Sequence, residues 1–355
     1  MKIDFDTRIK HVTDCLKYLS LPAILVLSPS NIKFLTGFSG SNCCLLITTQ
    51  NIYFFTDSRY LEDSKNKFTS WIVAKYSRDF KEIHEVLNEL NIRKVGYEAK
   101  KITQFDFENL TLNSIEIEFV KSDGLIEKIR SVKDEYELHQ INQAIELADQ
   151  TMEWILDQSL EGLKEIEVSK MIKKQLLELG ADDVSFSTIV ATGLNSAVPH
   201  HSPDDSIIQS GDCLVIDMGA EIDNYRSDIT RTTFIGNKPQ DFDKIYDLVL
   251  EAQQIAINSV TNGITGGEID RLVRNKIEET SPGFSKYFIT GLGHGVGLDI
   301  HEYPMLISNS SDKILDNSVF TVEPGLYLTG WGGIRIEDMV LFKDNHVSVL
   351  TKSNK

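Results

Sequence analysis

Apolar positions recur along this chain in two rhythms, and the mix of rhythms changes once. From Asp6 to Leu19, apolar Ile9, Val12, Leu16 and Leu19 fall at helical spacing and predict an amphipathic helix. Ala23 to Leu27 reads as a short buried strand, and Cys43 to Thr48 and Ile52 to Thr56 as two more around Thr49-Gln50-Asn51. Further short strands are expected at Trp71 to Ala74, Lys94 to Tyr97 and Ile115 to Val120. Helical runs at Asp79 to Leu90 and Thr103 to Leu112 separate them. Strands alternating with helices predict an α/β domain with a mixed sheet.

The rhythm changes near Lys121 to Arg130. Val132 to Leu160 is rich in Glu, Gln, Ile, Leu and Ala, with no strand signal, and predicts a long helical stretch. A second helix, Glu165 to Leu179, stops at Gly180, a residue suited to ending a helix. Strand patterns then return. Cys213 to Ala220 and Tyr225 to Ile235 predict a hairpin turning at Ile222-Asp223-Asn224. Helices follow at Asp241 to Asn262 and Gly267 to Glu279, then strands at Val319 to Val322 and Ile334 to Phe342. Two rounds of helices plus antiparallel strands make an α+β pattern. The expected domains are residues 1–124 and 125–355.

Length supports this division, since 355 residues exceed the usual single core. The net charge of −17 argues against nucleic acid and anionic membranes as main partners. Cys15, Cys43, Cys44 and Cys213 form no C-x-x-C pair, which suits a reduced, cytoplasmic chain. The N-terminus carries Asp4 and Asp6 where a secretory signal needs a basic start and an apolar core. Leu21 to Leu27 is too short to span a membrane.

Candidate chemistry begins at Gly291 to Glu302. His294 and His301 stand seven positions apart (301 − 294), with Gly293, Gly295 and Gly297 between or beside them. Glycine this dense suits backbone passing close to something bulky or charged; the competing reading is a flexible turn with two surface histidines. Asp217 sits in an otherwise apolar strand, and Asp228 lies 11 positions on (228 − 217) across the proposed turn. Pairing Asp217 with residue 228 or 230 puts both carboxylates on one face. Like charges there are unfavourable unless a cation lies between them; salt bridges to Arg226 or Arg231 are the alternative. Glu323 ends an apolar strand, and Glu337 shares a face with Arg335. One imidazole and four carboxylates suit hard to borderline divalent ions, and four carboxylates suit two bridged ions. No H-E-x-x-H, Walker A or G-x-S-x-G is present.

Six segments then resemble one family in order: Pro199-His200-His201, Asp217-Met-Gly-Ala, Ser227-Asp228-Ile-Thr-Arg-Thr232, Gly293-His294 through His301-Glu302, Thr321-Val-Glu323-Pro-Gly-Leu-Tyr327 and Gly333-Ile-Arg335-Ile-Glu337-Asp338. They resemble the Xaa-Pro peptidases, the aminopeptidase P and prolidase group of the creatinase-like pita-bread metallopeptidases. Thr36 to Ser41 and Thr56 to Tyr60 resemble first-domain segments of the bacterial members. The resemblance implies a creatinase-like α/β N-terminal domain and an α+β pita-bread catalytic domain. It implies two divalent ions, Mn²⁺ first with Co²⁺, Zn²⁺ and Fe²⁺ as alternatives. Asp217 would bind one ion, His294 and Glu323 the other, and Asp228 and Glu337 would bridge. His200 and His301 would contact the scissile amide and the tetrahedral intermediate, Glu323 would shuttle a proton, and Arg335 and Tyr327 would line the site.

The substrate so implied is a proline-containing peptide and the assembly a homodimer. A dipeptide-only prolidase is the alternative, and Arg335 would either hold its substrate's carboxylate or stiffen the metal site. A metal-free pita-bread binding module is the remote alternative, and the complete ligand set weighs against it. Many relatives carry histidine where this chain has Thr290, which leaves one substrate contact open. Asp57 and Arg59 either pair locally or help a first-domain wall close the site.

Overall fold

The computed structural model describes residues 3–77, 79–112 and 116–355. They form two compact units, Met1–Arg130 and Ser131–Lys355.

The first unit runs α1 (Phe5–Tyr18), β1 (Ala23–Val26), α2 (Pro29–Thr36), β2 (Cys43–Thr48), β3 (Ile52–Thr56), α3 (Leu61–Lys67), β4 (Ile72–Lys75), α4 (Lys81–Glu89), β5 (Lys94–Tyr97), α5 (Gln104–Leu112), β6 (Glu118–Lys121) and α6 (Leu125–Arg130). Its six strands form one mixed sheet in the order β4-β3-β2-β1-β5-β6. Asp4 caps α1 by accepting from the Thr7 amide, and Ile9, Val12 and Leu16 are its buried stripe. The short helices α2 and α3 are absent from the sequence expectation, because seven or eight residues barely complete two turns of a pattern. The strand expected from Ile115 is seen from Glu118; residue 115 lies outside the described residues. The first unit ends after Arg130 because α6 packs on α1 and α2, and Arg130 Nη1 donates to Asn31 Oδ1 at 2.7 Å. Asp57 is held in a local fork by Arg59, whose Nη2 lies 2.7 Å from Asp57 Oδ2.

The second unit opens with α7 (Glu135–Leu156), fixed by a reciprocal Asp134–Glu137 cap, and α8 (Glu165–Glu178). Six strands follow: β7 (Asp183–Val184), β8 (Ile189–Thr192), β9 (Cys213–Met218), β10 (Ala220–Ile222), β11 (Tyr225–Arg226) and β12 (Ile229–Phe234). Helices α9 (Phe242–Ser259) and α10 (Gly266–Thr280) come next. The remaining strands are β13 (Gly293–Gly295), β14 (Glu302–Leu306), β15 (Ser318–Val322), β16 (Gly325–Leu328), β17 (Gly332–Arg335), β18 (Asp338–Lys343) and β19 (His346–Val349). One core joins α7 and α8 to the β12-β9-β8 sheet through residues such as Ile172, Leu176, Val190 and Ile216. The other joins α9 and α10 to the β14-β13-β15-β18-β19 sheet through Val249, Ala252, Val273, Phe320 and Val340.

The hairpin turns at Asp223 and Asn224, both with positive φ (47° and 66°), as a two-residue turn between right-twisted strands requires. Its long arms are each broken. A Cβ at Gly219 would stand 1.8 Å from the Ser227 carbonyl oxygen, so only glycine lets the arms cross there. The single strand expected over Ile334 to Phe342 is two strands, β17 and β18, because their partners differ: β16 for one, β15 and β19 for the other. Among the described residues no helix is long and apolar enough to cross a membrane. All four cysteines are free.

Candidate active site and metal centre

Backbone register decides which side chains converge. Thr230 pairs with Asp217 and Ile229 with Met218 across β9 and β12. Residue 228 is two before residue 230, so Asp228 and Asp217 emerge on one face. Across β15 and β18, Val322 pairs with Asp338, which brings Glu323 and Glu337 together at one end of the sheet. His294 lies mid-way along β13. A Cβ at Gly293 would stand 2.1 Å from the Thr321 carbonyl oxygen, and one at Gly295 2.1 Å from that of Tyr303. The flanking glycines thus let β13 lie against two neighbouring backbones, with a bulge between His294 and Gly295.

These five side chains share one cavity of about 610 Å³ with His200, His301 and Arg335. Ligand atoms of Asp228, His294 and Glu337 all lie within 4.8 Å of one another. His294 Nε2 is 3.1 Å from Glu323 Oε1 and 3.7 Å from Asp228 Oδ2. The His294 and His301 rings meet edge-on at 4.2 Å. The alternative salt bridges do not form: Arg226 pairs with Glu221 and Arg231 with Asp338, each at 2.8 Å. Asp217 instead meets Arg335, whose Nη2 donates to its Oδ2 at 2.5 Å.

Three buried carboxylates, with the half-buried Glu323, facing one guanidinium leave an excess of negative charge. Burial first, and the neighbouring carboxylates second, hold Asp228 and Glu337 well above the usual carboxylate range. Asp217 is raised by burial despite Arg335. On His294 burial opposes the charge, but Glu323 overrides it and holds the imidazole above its ordinary value. Asp217 Oδ1, Asp228 Oδ1 and Glu337 Oε1 are buried acceptors with no hydrogen-bond partner. Buried acceptors are ordinarily satisfied. Orphaned oxygens, crowded like charges and a nearby imidazole fit a bound divalent cation. His294 Nδ1 lies 3.2 Å from the Gly295 carbonyl, which favours a proton there and leaves Nε2 to ligate.

Two threonines unflagged by the sequence complete the support. Thr230 Oγ1 accepts from Arg335 Nε at 3.0 Å and donates to Glu337 Oε2 at 2.6 Å. Thr321 Oγ1 accepts from the His294 amide at 3.1 Å and donates to Glu323 Oε1 at 3.0 Å. Each hydroxyl takes one N–H and passes its own hydrogen to a glutamate. Tyr327 is buried behind Arg335, its hydroxyl accepting from Arg335 Nη1 at 2.7 Å. Phe186, Ile189, Ile300, Met305 and Ile307 wall the cavity on its apolar side, together with Thr290. Glu165, His201 and Asp204 form a second close group of ligand-type residues. Glu165 there is saturated by Thr192, Asn195, His201 and the Asp204 amide, so it serves as an anchor for the loop bearing His200.

The raised carboxylates link metal to pH. Groups whose folded pKa is raised hold protons that a cation must displace, so metal binding weakens as pH falls through those raised values. Thermal stabilisation of chelator-treated protein by added Mn²⁺ is expected to shrink steadily as pH is lowered. A pH-independent shift would contradict the carboxylate site.

Residues 139–344 match metallopeptidase family M24, and residues 8–132 match the creatinase/prolidase N-terminal domain. The chain is 34% identical over 349 residues to the Xaa-Pro dipeptidase of Pyrococcus horikoshii, covering 98% of this chain and 97% of that one. The solved structure of an Xaa-Pro dipeptidase from Bacillus anthracis superposes with a TM-score of 0.92 at 34% identity, covering 99% of both chains. An X-Pro aminopeptidase from Thermotoga maritima gives 0.86 at 32% identity, covering 97% of both.

Proposed function

We propose an Xaa-Pro aminopeptidase, on the premise that this chain belongs to metallopeptidase family M24 and carries a creatinase/prolidase N-terminal domain before its catalytic one. The observation behind the choice of aminopeptidase is the commitment of Arg335. Among the described residues it is the only lysine or arginine in the cavity wall. Its donors go to Asp217, Thr230, Tyr327 and the Pro199 carbonyl. A dipeptidase must neutralise a free proline carboxylate at the far end of its substrate; an aminopeptidase cutting longer chains need not.

Asp217 would hold one divalent ion, His294 and Glu323 a second, with Asp228 and Glu337 between them; Mn²⁺ is the first choice and Co²⁺, Zn²⁺ and Fe²⁺ the alternatives. Such ions supply Lewis acidity, polarising the scissile carbonyl and lowering the pKa of water. The protein's own groups do the rest. Burial and neighbouring His294 hold the His301 imidazole below its ordinary value, so it stays neutral and can turn one N–H toward the carbonyl oxygen. His200, exposed at the cavity mouth, is placed to hydrogen-bond the peptide. A proline amide nitrogen carries no hydrogen and must gain a proton to leave. Glu323 is the carboxylate at hand to take a proton from the attacking water and pass it to that nitrogen. The apolar wall accepts the Xaa side chain and the pyrrolidine ring.

The dipeptidase reading rests on the names of two relatives above and on His200 and His301, which remain as carboxylate partners. Chelated protein reloaded with Mn²⁺ and assayed on matched Xaa-Pro and Xaa-Pro-Yaa peptides separates the two. The aminopeptidase reading expects kcat/KM on the tripeptide to lead by about tenfold or more, a difference of about 1.4 kcal/mol. The reverse ratio makes the chain a dipeptidase. Full activity after chelation sinks the metal reading itself.

A further inference from the structure

Behind the carboxylates lies an arrangement that the reaction itself does not use. Gln253, on α9, is wholly buried next to apolar Val249, Ala252 and Ala256. A buried amide is costly unless all its groups are satisfied. Its Nε2 donates to the carbonyls of Val322 (3.0 Å) and Ile336 (3.2 Å), the residues immediately before Glu323 and Glu337. One nitrogen therefore pins the peptide groups leading into both glutamates. Its Oε1 accepts from Lys355 Nζ at 2.6 Å.

Lys355 Nζ also lies 2.5 Å from Asp338 Oδ2. Asp338 follows Glu337 directly, and its Oδ1 accepts from Arg231 Nη2 at 2.8 Å and from Thr351 Oγ1 at 2.7 Å. Arg231 Nη1 donates to the Glu337 carbonyl at 2.6 Å, and Nη2 to that of Ser353 at 2.7 Å. Asp149, on α7, fixes the same segment by accepting from the Lys352 and Ser353 amides at 2.8 and 2.9 Å. Gln253, Arg231, Asp338, Asp149 and Lys355 all lie outside the cavity wall.

We infer that Gln253 and the segment 351–355, tied together through Lys355, Asp338 and Arg231, form a strap that positions Glu323 and Glu337 and thereby sets the affinity of the site for divalent metal. The inference rests on the reading that these glutamates ligate metal. The strap acts through the ligands, so its members are positioning residues. Removing partners that orient ligands typically costs about 10- to 100-fold in metal affinity.

The test uses the full chain, stripped of metal, titrated calorimetrically with Mn²⁺ alone. Lys355→Met is the primary variant, because this side chain is 29% exposed and its loss leaves no cavity in the core. It is expected to weaken Mn²⁺ binding about tenfold, and Lys355→Arg to recover most of that loss. Gln253→Leu is expected to weaken it about 10- to 100-fold. At saturating Mn²⁺, KM for peptide stays at the wild-type value in Lys355→Met, since the cavity wall is untouched. A wild-type Mn²⁺ isotherm in Lys355→Met overturns the strap, even if the melting temperature of the metal-free protein falls. A wild-type protein that binds no Mn²⁺ removes the metal reading instead.

Discussion

Asp228→Asn is expected to cut kcat/KM by about a thousandfold or more, because metal supplies several kcal/mol of transition-state stabilisation. His200→Ala is expected to cost about a hundredfold, the scale of one lost hydrogen bond to developing charge. The difference follows from placement. Asp228 is buried among Asp217, His294 and Glu337, with one oxygen that no protein group satisfies. Asparagine keeps the shape and removes the charge that would join two ions. His200 stands exposed at the cavity mouth. Rates measured with metal content on the same samples decide the matter: equal residual activities at unchanged metal content would refute the assigned roles. Stability should move the other way. Burial and like charges disfavour ionised Asp228, so the metal-free variant is expected to melt no lower than the metal-free parent.

Arg335→Met is expected to destabilise the metal-free protein by about 3–5 kcal/mol, the scale of a buried ion pair that loses one partner. Arg335 is buried and, among the described residues, is the one guanidinium in the wall that the carboxylates share. Its removal leaves Asp217 without its 2.5 Å partner, and Thr230 and Tyr327 without their donor. With metal bound the loss should be smaller, because a bound cation would supply the missing positive charge. Urea unfolding with and without Mn²⁺ measures both values. Equal losses in the two conditions would mean that Arg335 holds the fold and not the charge balance of the site.

Much of this was open to reading in the chain. The two-residue period and the turn residues Asp223 and Asn224 put Asp217 and Asp228 on one face, because both are local rules. The glycines beside His294 marked a close approach, though the partner proved to be neighbouring backbone. What stayed hidden was long-range. Nothing near Asp217 reveals that its cation stands 118 residues away, and Arg226 and Arg231 were the nearer but mistaken candidates. Thr230 and Thr321 look like ordinary strand residues until their hydroxyls are seen between a donor and a glutamate. The break between β17 and β18 was invisible because pairing with different partners, and not composition, separates them. The apolar cavity wall reads as core in any sequence, since an isoleucine facing a substrate and one facing a helix have the same pattern.

The two halves of the second unit contribute unequally to the centre: Asp217 and Asp228 come from the β9–β12 hairpin, and His294, Glu323 and Glu337 from the later sheet. Asp228 and Glu337 are 109 residues apart (337 − 228), and each half has its own hydrophobic core. On the proposed ligand assignment, a chain with only one half folded would offer an incoming ion an incomplete ligand set. Metal should therefore have little hold on the folding transition state if the halves dock late, and should leave the refolding rate nearly unchanged. Its binding energy would then appear almost wholly as slower unfolding, so that the loaded enzyme outlasts the empty one in time more than in any gain of folding speed.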